Sequence, residues 1–142
     1  MYRNIIEQLR EWKNKEGRKP LILAGARQVG KTYILRKFGE EEFDNVVYVN
    51  CEDNVLAKNL FVQDYNMQRI GLALGAIAGQ SIEAGKTLII LDEIQEAPRG
   101  LSVLKYFCEN APQYHVAVAG SLLGITMHRG ESFPVGKVDI LH

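Results

Sequence analysis

Residues 25–32 read Gly-Ala-Arg-Gln-Val-Gly-Lys-Thr, and this octet carries the most legible chemistry in the chain. The apolar run Leu21-Ile22-Leu23-Ala24 enters it and a helix-forming stretch leaves it. That is the context in which G-x-x-x-x-G-K-T works as a phosphate-binding loop. Gly25 and Gly30 allow a tight turn where a Cβ would clash. The amides of Ala26, Arg27, Gln28 and Val29 can then point inward at an anion, and the helix starting near Lys31 adds its positive end. Lys31 would reach the β- and γ-phosphates, and the Thr32 hydroxyl would ligate Mg²⁺.

A second constellation lies at 88–93, where four apolar residues end in Asp92-Glu93. This is the pattern of a Walker B strand. Asp92 would hold Mg²⁺ through its water shell, opposite Thr32. Glu93 would polarise the water that attacks the γ-phosphate. An Asp-Glu pair after a strand is common by itself; an upstream phosphate loop gives it meaning. Ser121 follows a fourth apolar run. Its hydroxyl would sense the γ-phosphate or hold the attacking water, or else cap the next helix. Arg27, Arg99 and Arg129 are candidates for stabilising transition-state charge, against the alternative of surface ion pairs. Gln95 would either bond the nucleotide or cap a helix. His115, His128 and His142 share no metal-ligand spacing.

These residues need elements to hold them. Ile5, Leu9 and Trp12 mark one face of a helix from about Arg3 to Lys15, ended by Gly17. Strands are expected at Leu21–Ala24, Val46–Val49, Thr87–Leu91, Val116–Ala119 and Val138–Leu141. Helices are expected over Lys31–Phe38, stopped by Gly39, and over Asn54–Leu60. A further helix carries the stripe Met67, Ile70, Leu74 and Ile77. Gly71 and Gly75 on that helix suggest close packing against a neighbour. Another helix carries Leu101, Leu104 and Cys108, and a weak one covers Leu122–Met127. Strands and helices alternate, and the strands are short, apolar and β-branched. That predicts an α/β fold with a parallel sheet covered by helices on both faces. Right-handed crossovers would gather the carboxyl ends of the strands at one edge, with the loop, Asp92-Glu93 and Ser121 all there.

Composition sets bounds. With 142 residues, 46% hydrophobic and 24% charged, the chain can build one compact domain with a core. The formal net charge is zero, so the broad electrostatic footprint of a nucleic-acid binder is missing. The basic run Arg10, Lys13, Lys15, Arg18 and Lys19 reads as a solvated helix face and loop, or as a contact surface for an acidic partner. Cys51 and Cys108 lack C-x-x-C spacing and read as buried free thiols in a reducing compartment. No segment has the apolar length of a membrane-spanning helix, and the N-terminus lacks an apolar signal core. A cytoplasmic location is the default expectation.

Four segments together carry a family resemblance: Gly-Ala-Arg-Gln-Val-Gly-Lys-Thr (25–32), Leu-Asp-Glu-Ile-Gln-Glu-Ala-Pro (91–98), Val-Ala-Gly-Ser-Leu-Leu-Gly (118–124) and Ser-Phe-Pro-Val-Gly-Lys-Val (132–138). The chain resembles the prokaryotic AAA-superfamily ATPases, and more narrowly the group with an uncharacterised domain after the ATPase core. The resemblance spans essentially the whole sequence. It implies a three-layer αβα core with strand order 5-1-4-3-2, and ATP with Mg²⁺ as ligands. It carries over to Gly25, Gly30, Lys31, Thr32, Asp92 and Glu93, with Ser121 as first sensor. Family members are much longer, and their second-sensor arginine lies in a lid or beyond the core. Residues 1–142 are therefore expected to be the ATPase core alone, ending in a strand without lid or C-terminal domain. Expected partners beyond nucleotide are a second copy or an adjoining C-terminal domain. The leading expectation is Mg-dependent ATP hydrolysis coupled to conformational change. The alternatives are a non-hydrolysing nucleotide-gated interaction module and, against the evidence of Glu93, a small-molecule kinase.

Overall fold

Alternation of apolar residues along an interior strand builds this molecule from the sheet outward. In β3 (Thr87–Asp92) every residue is buried, and successive side chains point to opposite faces. Leu88 and Ile90 join one apolar cluster, Ile89 and Leu91 the other. A strand buried on both faces belongs in the interior of a parallel sheet. The computed structural model describes residues 2–24, 30–120 and 136–141.

The remaining strands are β1 (Leu21–Leu23), β2 (Asn45–Asn50), β4 (His115–Ala119) and β5 (Asp139–Leu141). All pairings are parallel, in the order β2-β3-β4-β1-β5. That is the expected order 5-1-4-3-2 read from the other edge. Helices α1 (Tyr2–Lys13) and α2 (Lys31–Glu42) cover one face. There Leu9, Trp12, Leu35 and Phe38 pack on Leu21, Leu23 and Ile90. Helices α3 (Val55–Lys58), α4 (Met67–Ala78) and α5 (Gly100–Asn110) cover the other. There Ile70, Leu74, Leu104 and Phe107 pack on Ile22, Ile89 and Val118.

Register sets the functional edge. Asn50 pairs with Asp92, Asp92 with Ala119, Ala119 with Leu23, and Leu23 with Leu141. One row thus crosses all five strands at their carboxyl ends. Three ladder-like bonds continue just past that row. The N–H groups of Cys51, Glu93 and Ala24 donate to the carbonyls of Asp92, Ala119 and Leu141 at 2.8, 2.7 and 2.8 Å.

Several local expectations are corrected. Gly39 does not stop α2, which runs on to Glu42. Its missing Cβ lets the helix lie close on the sheet, because a Cβ there would come within 2.4 Å of Val46 Cγ2. Gly75 serves its own helix end, not a neighbour: a Cβ would sit 2.6 Å from the Gln80 carbonyl oxygen. Cys51 is buried, but Cys108 is only half-buried. The basic run is not simply a solvated face. Arg10 and Lys15 bond the carboxylates of Glu42 and Asp139 at 2.8 and 2.9 Å, and Arg18 donates to the Pro112 carbonyl at 2.9 Å. These cations tie α1 and its following loop to α2, β5 and the α5–β4 turn. The weak helix over Leu122–Met127 lies outside the described residues.

Candidate active site

Helix α2 begins immediately after Gly30, which adopts φ 97° and ψ −28° with no side-chain cap. That backbone is the left-handed one glycine takes without strain. The first amides of the helix therefore lack intrahelical acceptors and present partial positive charge. Gly25, Ala26, Arg27, Gln28 and Val29 lie outside the described residues, as do Ser121, Arg129, His128 and His142. What the structure places is the second half of the motif and its partners across the sheet.

Lys31 and Thr32 open the first turn of α2 and meet the ends of β4 and β3. The Lys31 Nζ donates to the Gly120 carbonyl at 2.7 Å. Burial lowers the lysine pKa, and the nearby carboxylates of Glu93 and Asp92 counter that in part. The Thr32 Oγ1 donates to Asp92 Oδ2 at 2.8 Å. A threonine hydroxyl has one hydrogen and two lone pairs. With the hydrogen given to Asp92, the lone pairs remain for a cation. Hydroxyl and carboxylate oxygens are hard donors of the kind Mg²⁺ takes. Among the described residues no three His, Cys, Asp or Glu side chains converge as a ready-made metal cage. Mg²⁺ typically uses one or two protein ligands and completes its sphere with water and phosphate, so this sparse donor set fits it.

Tyr48 is a site neighbour that sequence reasoning missed. Its hydroxyl donates to the same Asp92 Oδ2 at 2.6 Å. Tyr48 pairs with Ile90, two residues before Asp92, so the contact is a diagonal cross-strand one that a long side chain can span. Burial, then the bond to Asp92, pushes the Tyr48 pKa up to about 12. The phenol therefore remains a donor at neutral pH. The Arg36 guanidinium lies over its ring, 4.4 Å from the centroid. The only hint in the sequence was a tyrosine inside an otherwise valine-rich strand. Cys51, one residue past the end of β2, is pushed up to about 12 by burial and by the nearby Asp92 and Glu93 charges, and stays a thiol.

Glu93 is buried and sits at φ 52°, ψ 48°. A left-handed conformation costs a non-glycine residue about 1 kcal/mol. The turn breaks β3 sharply and starts the short 3₁₀ segment Ile94–Glu96. Gln95, on that segment, donates from Nε2 to Glu93 Oε1 at 2.5 Å. A carboxylate only accepts, so the amide orientation is forced. The Gln95 Oε1 consequently faces away, buried and without a donor among the described residues. It packs on Gly120, where an added Cβ would stand 2.4 Å from it. Gln95 thus neither caps a helix by its side chain nor stands apart from the site; it grips Glu93. Arg99 points elsewhere, donating to the Val62 carbonyl at 3.3 Å.

A family model described as an AAA domain matches residues 17–142. The chain belongs to the AAA domain family. No curated protein matches it. Three solved structures resemble this AAA domain in fold. They are the Thermotoga maritima RuvB T158V variant (18% identity, TM-score 0.59), the RuvB Holliday junction branch migration motor of the same organism (16%, 0.54) and the Aeropyrum pernix ORC1 protein in complex with DNA (15%, 0.50). Each match covers 99% of this chain and 44% of the other, so the AAA domain spans less than half the length of these structures. The αβα core is common ground. Among the described residues no helix is long and apolar enough to cross a membrane.

Proposed function

We propose that the chain binds Mg·ATP at its phosphate loop and hydrolyses it, coupling turnover to a change of conformation. The observation that carries this reading is the 2.8 Å bond from Thr32 to Asp92, which joins two motifs 60 residues apart in sequence at one sheet edge. In this reading the amides of residues 25–30 and the α2 N-terminus receive the phosphates. Lys31 leaves the Gly120 carbonyl and places its charge against the β- and γ-phosphate oxygens. Thr32 and Asp92 hold Mg²⁺, which when bound neutralises phosphate charge. Glu93, with one oxygen gripped by Gln95, accepts a hydrogen bond from the attacking water through its other oxygen and polarises it. Ser121 senses the γ-phosphate. ATP binding measured by calorimetry, with phosphate release followed in wild type and Glu93→Gln, tests the reading. Binding in both with release only in wild type is expected. Equal release in both removes the role of Glu93.

A second reading has a specific observation behind it. Both chemical groups are already engaged within the protein, Lys31 on Gly120 and Glu93 on Gln95. A nucleotide-gated interaction module that does not turn over would exchange the first of these contacts on binding and leave the second intact. Nucleotide binding without phosphate release, with or without added DNA, would favour it. In either reading the partner beyond nucleotide is a second copy or an adjoining domain.

A further inference from the structure

Two hydroxyl groups from different elements converge on one oxygen of Asp92. Thr32 Oγ1 arrives from α2 at 2.8 Å and Tyr48 Oη from β2 at 2.6 Å. Asp92 is itself 8% exposed, at the end of a strand buried throughout. A carboxylate at a strand end can rotate about its last torsion, which is broad and shallow. Two donors on the same oxygen, approaching from separate secondary structures, remove that freedom. The Tyr48 ring is held in turn by the Arg36 guanidinium at 4.4 Å. Arg36 lies on α2, the helix that supplies Thr32, so α2 supports Asp92 both directly and through the tyrosine.

We propose that Tyr48 is a positioning residue for the metal: its hydroxyl fixes the Asp92 carboxylate in the orientation that Mg²⁺ requires. This rests on the reading of Thr32 and Asp92 as the metal-holding pair. Magnesium demands near-ideal octahedral geometry in its water shell, so a carboxylate free to swing would hold those waters poorly. The role belongs to the hydroxyl, not to the ring. The ring sits half-buried against the α1–α2 cluster and would persist in phenylalanine.

The test uses the whole chain and a fluorescent ATP analogue, titrated with Mg²⁺ and, separately, in EDTA. Tyr48→Phe should raise the Mg²⁺ concentration needed for half-maximal tight binding by about three- to tenfold, because one of two orienting bonds is lost. Affinity in EDTA should stay within about twofold, since the phosphate loop is untouched. Thr32→Ala serves as the reference for losing the metal site. An unchanged Mg²⁺ requirement in Tyr48→Phe beside a raised one in Thr32→Ala overturns the role of Tyr48 and leaves the metal pair standing. A parallel fall in affinity with and without metal also overturns it, because that is a packing defect. No nucleotide binding by wild type removes the underlying reading and this role with it. If Tyr48→Phe does not fold, Arg36→Ala keeps the hydroxyl but frees the ring. It should then show a smaller rise in the same direction, and an unchanged requirement there counts against the role.

Discussion

The Lys31 ammonium rests on the Gly120 carbonyl, 2.7 Å away and 89 residues along the chain. The bond ties the start of α2 to the end of β4 across the sheet edge where phosphate would enter. It also means that nucleotide must compete for the lysine. Lys31→Ala should therefore lower ATP affinity at least ~100-fold, the equivalent of about 3 kcal/mol for a charge-assisted contact. The loss of a desolvated charge should leave the nucleotide-free protein within about 1 kcal/mol of wild-type stability. Calorimetry and urea unfolding read the two effects separately. Wild-type affinity in the variant would contradict the assignment.

Glu93→Gln should keep nucleotide affinity within a few-fold and reduce phosphate release by about two orders of magnitude or more. The substituted amide can still accept from Gln95 through its carbonyl oxygen. Stability should thus change little. A large drop in melting temperature would show that the Gln95 contact needs the charge.

Gly120→Ala probes the same pair from the opposite side. The new Cβ would fall 2.4 Å from Gln95 Oε1 and 3.3 Å from its Cδ. Gln95 is 4% exposed and has little room to retreat, so the amide should shift and loosen its hold on Glu93. Phosphate release should drop about tenfold or more, an energetic cost near 1.4 kcal/mol in the barrier, with KM for ATP little changed. Steady-state kinetics decide this, and unaltered kcat would mean that the Gln95 contact does not matter to turnover.

Gly39→Ala should destabilise the fold despite alanine's better helix propensity. Helix propensity favours alanine by about 1 kcal/mol. Against that, the Cβ would meet Val46 Cγ2 at 2.4 Å and Leu88 Cδ2 at 3.1 Å, which forces α2 off the sheet. Overpacking of this kind costs about 1–3 kcal/mol, so the net loss should be up to about 2 kcal/mol. A rise in the urea midpoint would refute the packing argument.

His115 gives the molecule a predictable response to acid. It is buried between Trp12 and Phe43, and its pKa is lowered to about 4 by burial first and then by the Arg18 charge. Its Nε2 donates to the Lys13 carbonyl at 3.3 Å, which leaves Nδ1 an acceptor without a donor among the described residues. The folded state holds the ring neutral, while the unfolded chain protonates it near 6.5. The associated stability is complete above pH 6.5, declines as pH falls towards 4, and is lost below that. The loss should be on the order of 2–3 kcal/mol. His115→Phe keeps the ring packing and should flatten this part of the pH–stability curve, measured by urea unfolding at pH 7 and pH 4.5.

The sequence by itself determined the periodic and contiguous features. Runs such as Leu88–Leu91 read as strands buried on both faces, and the stripe Met67, Ile70, Leu74 and Ile77 reads as the inner face of a helix. Alternation of the two, with a G-x-x-x-x-G-K-T turn after the first strand, restricted the fold to a parallel sheet with its chemistry at the carboxyl edge. Only the tertiary structure decided the contacts that depend on register and on the depth of approach between layers. Tyr48 reaches Asp92 because β2 and β3 align Asn50 with Asp92, a choice made by the whole sheet. Gln95 grips Glu93 because the chain leaves β3 through a left-handed residue, which local propensity argues against. Gly39 lies inside a helix because a neighbouring strand sits too close for any side chain. Patterns along a chain carry information about faces and periods. The distance between two faces, and what fills it, is set by the packing of all the elements at once.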